Sequence, residues 1–99
     1  MVYVIFEVKS DNTGNINKFI KDDLISRQSI LTRDASALNI DQDVTYVKIE
    51  GSDEGIARAK DVAEELEFKL LDEKEAAEVN GKIAEQEDSA ADGMGMIFG

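Results

Sequence analysis

Twenty-two carboxylates, no histidine and no cysteine confine the side-chain chemistry of this 99-residue chain almost entirely to oxygen. Without imidazole or thiolate the usual catalytic triads and neutral-pH general bases are missing, and so are the soft and borderline ligand sets that select zinc or copper. The sequence therefore predicts a protein that is not an enzyme. Hard cations remain, because calcium takes six to eight oxygens from carboxylates, carbonyls and water. Three short segments are dense in such donors: Ser10–Asn15 (SDNTGN), Asn39–Asp43 (NIDQD) and the pair Asp22–Asp23.

One local frame can be tested directly. An EF-hand loop starting at Asp11 would use Asp11, Thr13, Asn15 and Asn17, with Asp22 in the twelfth place. It fails, because Ile16 stands where glycine is required and Asp22 is too short for the usual bidentate glutamate. Asn80-Gly81-Lys82 lacks the upstream glycine and following hydroxyl residue of a phosphate loop, and Gly93-Met94-Gly95 follows no strand, so neither is a nucleotide motif. Each acid also has a purely local use. Asp11 and Asn15 suit helix caps, Asp41 and Asp43 a hairpin, and Asp53 and Glu54 a helix start.

The elements that must position these groups are legible from periodicity. Val2, Val4, Phe6 and Val8 alternate with Tyr3, Ile5, Glu7 and Lys9, which predicts a strand with one fully apolar face. Ile16, Phe19, Ile20 and Leu24 follow helical spacing and predict a helix from about Asn15 to Leu24. Ile30 and Leu31 suggest a second strand, while Asp34 to Leu38 reads as strand or turn. Thr45, Val47 and Ile49 mark a third strand ended by Gly51. Ser52 then caps a helix with Asp53 and Glu54 in its first turn, where the dipole favours acids. That helix carries the stripe Ile56, Ala59, Ala63 and Leu66, and Phe68 to Leu71 is a fourth strand.

The order strand, helix, strand, strand, helix, strand predicts an α+β domain with a ferredoxin-like split βαβ antiparallel sheet and both helices on one face. In that topology the loop after the first strand meets the connection between the second and third, bringing Asp11, Asn12 and Asn15 near Asp41 and Asp43. At the other end Asp22 and Asp23 approach the Ser52–Glu54 turn. The core is predicted to span residues 1–72. Residues 73–99 form an acidic helix to about Glu87, with Ala76, Val79 and Ile83 as a thin stripe, then a linker from Asp88 to Gly93 and an apolar tail. Tyr3, Ile5 and Tyr46 should point to the face the two helices leave open. The third helix or Met94–Phe98 covers that face, or one of these surfaces serves a protein partner or a second copy.

Charge narrows the partners. The net charge is −11, with residues 1–50 at −2 and residues 51–99 at −9. Such a surface repels nucleic acid and anionic membranes and attracts cations or a basic partner. The first apolar run is too short for a membrane span or a signal core, and the absence of cysteine fits a reducing compartment. These features predict a cytoplasmic protein.

Two resemblances add to this reading. The Asp11 to Gly14 turn between first strand and first helix, followed by Asn15-Ile16-Asn17-Lys18-Phe19-Ile20, resembles ACT-type amino-acid-binding domains over residues 2–71. That resemblance implies effector capture at the Asp11–Asn15 turn of a dimer. Over the whole chain, the short acidic sequence, the YVKIEG strand at Tyr46 to Gly51 and the DGMGMIFG ending resemble small acidic proteins of methanogenic archaea for which calcium binding at acidic loops is proposed. It implies a calcium module. The candidate ligands are then Asp11, Asp41 and Asp43, with Asp22 and Asp23 as a reserve site. A third expectation is an adaptor that binds a larger complex through its apolar C-terminus.

Overall fold

The computed structural model describes residues 2–98 of the backbone and, among side chains, residues 2–85. Four strands form one antiparallel sheet: β1 (Val2–Lys9), β2 (Ser29–Asp34), β3 (Val44–Gly51) and β4 (Lys69–Leu70). Their order across the sheet is β2-β3-β1-β4. α1 (Ile16–Ile20) connects β1 to β2 and α2 (Asp53–Glu65) connects β3 to β4, while α3 (Glu73–Phe98) follows the last strand. This is the ferredoxin-like α+β arrangement expected from the element order. Among the described residues no helix is long and apolar enough to cross a membrane.

β1 is the axis of the sheet. All eight of its residues pair with β3, from Val2 opposite Gly51 to Lys9 opposite Val44. Strand alternation sends Phe6 and Val8 to one face and Ile5 to the other, and all three are buried. On the first face they meet Phe19 of α1, Val47 and Ile49 of β3, Ile56, Ala59, Val62 and Ala63 of α2, and Phe68. Phe19 is central here, with its ring centroid 5.6 Å from Phe6 in an edge-to-face arrangement and 5.4 Å from Phe68. The opposite face has its own cluster: Ile5, Ala35, Leu38, Tyr46, Leu71, and Ala76, Val79 and Ile83 of α3. The third helix thus covers the face that the other two leave open, producing helix, sheet and helix layers.

Two local features differ from the sequence expectation, and one that it left open is decided. The first helix is five residues long, preceded by a 3-10 segment at Ser10–Asn15 and followed by another at Ile25–Arg27. It stops because Asp22 Oδ1 accepts hydrogen bonds from the N–H groups of Leu24 and Ile25, an aspartate turn that competes with helix continuation. The stretch after β2 resolves into a 3-10 turn at Ala35–Leu38, closed by Asn39 in the left-handed region at φ 60°. The helix placed only as far as Glu87 has bounds Glu73–Phe98. The side chains expected to form a linker at Asp88–Gly93 and an apolar hook at Met94–Phe98 lie outside the described residues.

The α2 boundaries obey local rules. Ser52 Oγ accepts from Gly55 N–H at 3.1 Å, the expected N-cap. At the other end Phe68 N–H donates to Ala63 C=O and Glu67 N–H to Glu64 C=O, which is the Schellman pattern. It places Glu67 in the left-handed region, at φ 63°, where glycine is normally found because a Cβ is disfavoured.

Two outcomes follow. Glu67→Gly is expected to raise stability by about 0.5–1 kcal/mol, relief of the left-handed Cβ outweighing the added freedom of the unfolded chain, as read by urea denaturation. Ile83→Ala should cost about 2–5 kcal/mol in the same assay. A negligible loss would mean that α3 is not integral to the folded core.

Candidate functional site

The two ends of the sheet carry the acidic residues singled out by the sequence, and the fold treats them differently. At the first end the β1–β3 ladder continues beyond Lys9. Ser10 N–H donates to Asp43 C=O at 3.2 Å, and Ser10 Oγ donates to Asp43 Oδ2 at 2.7 Å. These bonds fasten the Ser10–Asn15 segment to the loop before β3 and bring Asp11 to the end of the sheet that holds Asp43. That loop is itself tightly turned, since Ile40 N–H donates to Ala35 C=O and Gln42 N–H to Ile40 C=O. Asp11, Asp41 and Asp43 are all exposed.

Other polar groups of the Ser10–Asn15 segment are committed to the fold. Asn12 Nδ2 donates to Leu66 C=O at 2.8 Å, satisfying an orphan carbonyl at the C-terminus of α2. Asn15 Nδ2 donates to Asn12 Oδ1, and Thr13 Oγ1 donates to Ser10 C=O. The turn that resembles an effector-binding turn is therefore anchored inward through Asn12.

At the second end the reserve pair is separated. Asp22 faces Arg58 of α2: Oδ2 accepts from Nε at 2.9 Å and lies 2.8 Å from Nη2. Its other oxygen holds the Leu24 and Ile25 amides. The Asp22 side chain is only 14% exposed. Hydrogen bonding from Arg58 is the largest influence on this carboxyl and, with the two amides, holds it below the usual carboxylate range against the opposing effect of burial. Asp23 instead lies in solvent, 91% exposed, with Arg27 at 3.5 Å, a contact of small energetic value.

Ser52 at this end is held by a residue that the sequence did not single out. Gln28 Oε1 accepts from Ser52 N–H at 3.0 Å, and Gln28 Nε2 donates to Leu24 C=O at 3.0 Å. The side chain lies against two glycines. A Cβ at Gly51 would approach Gln28 Oε1 to 2.0 Å, and one at Gly55 would approach Cδ to 2.2 Å. Gly51 thus makes room for this bridge as well as ending a strand.

A third acidic feature was not legible in advance. Glu7 of β1, Tyr46 of β3, and Glu75, Glu78 and Lys82 of α3 line a small cleft of about 280 Å³. Burial first, and then Glu7 and Glu75, push the Tyr46 phenol upward from its ordinary value. Among the described residues no three acids are gathered into an arrangement that would by itself hold a metal ion. A cation at the first end would need main-chain carbonyls and water as well as carboxylates.

Removing the charge at Asp22 tests its structural role. Because its folded-state pKa lies below the unfolded value, its contribution is complete above the unfolded carboxylate pKa and is lost as pH falls through the folded one. Asp22→Asn is therefore expected to be less stable than the parent at pH 7. The difference should shrink steadily as the pH is lowered from about 4 toward 2, measured by thermal unfolding at matched ionic strength.

Compared with known proteins, the chain matches no family model, no curated protein and no solved structure.

Proposed function

We propose that the chain is a non-enzymatic, cytoplasmic acidic module that binds a hard divalent cation, calcium, at the end of the sheet formed by the Ser10–Asn15 segment and the loop before β3. One observation carries the reading: the paired main-chain and side-chain bonds between Ser10 and Asp43 fasten two acidic segments far apart in sequence. Asp11, Asp41 and Asp43 are the carboxylate ligands in this reading. The carbonyls of the tight Asn39–Asp43 turn and solvent complete a shell of the kind calcium accepts and zinc does not favour.

Asp22 does not serve as a reserve ligand in this reading. Using it would detach Arg58 and two backbone amides, whereas Asp43 would give up at most its bond from Ser10 Oγ. The exposure of the primary site, and a shell completed by solvent, argue for weak binding, with a dissociation constant on the order of 10⁻⁴ to 10⁻³ M. Magnesium is disfavoured because it dehydrates reluctantly and demands octahedral geometry.

An amide NMR titration with calcium, against magnesium at equal ionic strength, tests the proposal. Saturable calcium-specific shifts at residues 10–15 and 39–43 are expected, and they should vanish in the Asp41→Asn/Asp43→Asn double variant. Equal small shifts at acids over the whole surface, the same for both ions, would reduce the effect to charge screening and end the calcium reading.

A further inference from the structure

Three features meet at the N-terminal half of β1, at the opposite end of that strand from the proposed cation site. The first is an open edge. β3 pairs with every residue of β1, but β4 pairs only with Phe6 and Glu7. Leu71 N–H still donates to Ile5 C=O at 3.0 Å, after which the chain turns away into α3. Among the described residues no strand lies beside Val2–Val4 on that side. Because alternate residues of an antiparallel strand present their N–H and C=O groups to the same side, Tyr3 directs both toward the place that β4 has left.

The second is a groove of the right form. Val2, Tyr3 and Val4 form its floor. Leu70, Leu71, Asp72, Glu73 and Ala76 border a cleft of about 670 Å³ on the β4 and α3 side. Asp53, Ile56, Ala57 and Lys60 of α2 border its continuation. Strand alternation gives the groove two slots, one toward α2 beside Val4 and Ile56, the other toward α3 beside Tyr3 and Ala76. The third is exposed apolar surface: Val2 and Leu70, each 45% exposed, are the exposed large hydrophobic residues among those described, and both line this groove.

We infer that this edge accepts a short extended segment of another protein, which adds to the sheet as a strand in line with β4. Its backbone would bond to Tyr3, and alternate apolar side chains would enter the two slots, as in other strand-addition complexes. Charge identifies the partner's chemistry. The rim carries Asp53, Asp72 and Glu73 against Lys60, on a chain of net charge −11, so the segment is basic as well as apolar. A second copy of this chain would bring a further −11 to the same rim and is disfavoured.

The probe is a nine-residue peptide of alternating lysine and valine, titrated into the isotope-labelled full chain. A lysine–serine peptide of equal charge and a glutamate–valine peptide serve as controls. The lysine–valine peptide should give saturable amide shifts at residues 2–5, 53–60 and 70–76, and it should slow hydrogen exchange at Tyr3. Val2→Asp should weaken binding at least tenfold while leaving the remaining spectrum unchanged. Ala57→Gln, an exposed helix position, should do the same through the α2 slot should the first variant fold poorly. Equal shifts with lysine–serine would mean charge attraction alone. Shifts away from the β1 edge, or none, would also overturn the inference. A concentration-dependent dimer in analytical ultracentrifugation, with Tyr3 protected in the absence of peptide, would assign the edge to a second copy instead. Calcium has no part in these measurements, so their outcome is independent of the cation proposal.

Discussion

β1 is apolar on both faces over its central residues, and that constraint dictates the layers around it. Phe6 and Val8 turn to one side and Ile5 to the other, and each is almost completely withdrawn from water. A sheet with only one covered face would leave Ile5 and the ring of Tyr46 exposed. Burying apolar surface is worth roughly 25 cal/mol per Å², so a strand of this composition needs cover from both sides. α1 and α2 provide one layer. The start of α3, through Ala76, Val79 and Ile83, together with Ala35 and Leu38, provides the other. The third helix is in this sense part of the core, although its sequence is largely acidic.

The polar groups divide along the same lines. Those between elements are used to lock connections: Asn12 closes the C-terminus of α2, Asp22 joins the first crossover to Arg58, and Gln28 bridges Leu24 and Ser52. None of the described buried side-chain polar atoms is left without a partner. Other acids, among them Asp11, Asp23 and Asp41, are exposed to solvent. A single chain can therefore combine a well-satisfied interior with a surface of high negative charge, because solvated carboxylates impose little desolvation cost.

The two candidate binding regions belong to opposite ends of one strand and have different physical origins. At the C-terminal end of β1, antiparallel pairing with β3 sets the Ser10–Asn15 segment beside the loop before β3, and the Ser10–Asp43 bonds hold them. At the N-terminal end, β4 is two residues long, and among the described residues its departure leaves Val2–Val4 without a strand on the side away from β3. An edge of this kind usually must be protected against unwanted pairing. Here Asp53, Asp72, Glu73 and Lys60 place charged side chains beside the open edge.

Much of this was written in local sequence. Alternation in Val2–Lys9 and Val44–Gly51, the Ser52 cap and the stripe of α2 rest on interactions within a few residues, so periodicity and capping rules identify them directly. The strand and helix order then implied the ferredoxin-like sheet and placed the Ser10–Asn15 segment at the same end as the loop before β3, where Ser10 bonds to Asp43. The Asp22–Arg58 pair, the glycine-lined seat of Gln28 and the groove beside Val2–Val4 were decided only by tertiary structure. Each depends on partners tens of residues away. Asp22 and Arg58 are 36 positions apart, and no local pattern distinguishes an aspartate that will meet a guanidinium from one that will meet solvent. The composition of the chain determined what chemistry was available to it; which acids remained free to use that chemistry was settled by the packing of distant segments.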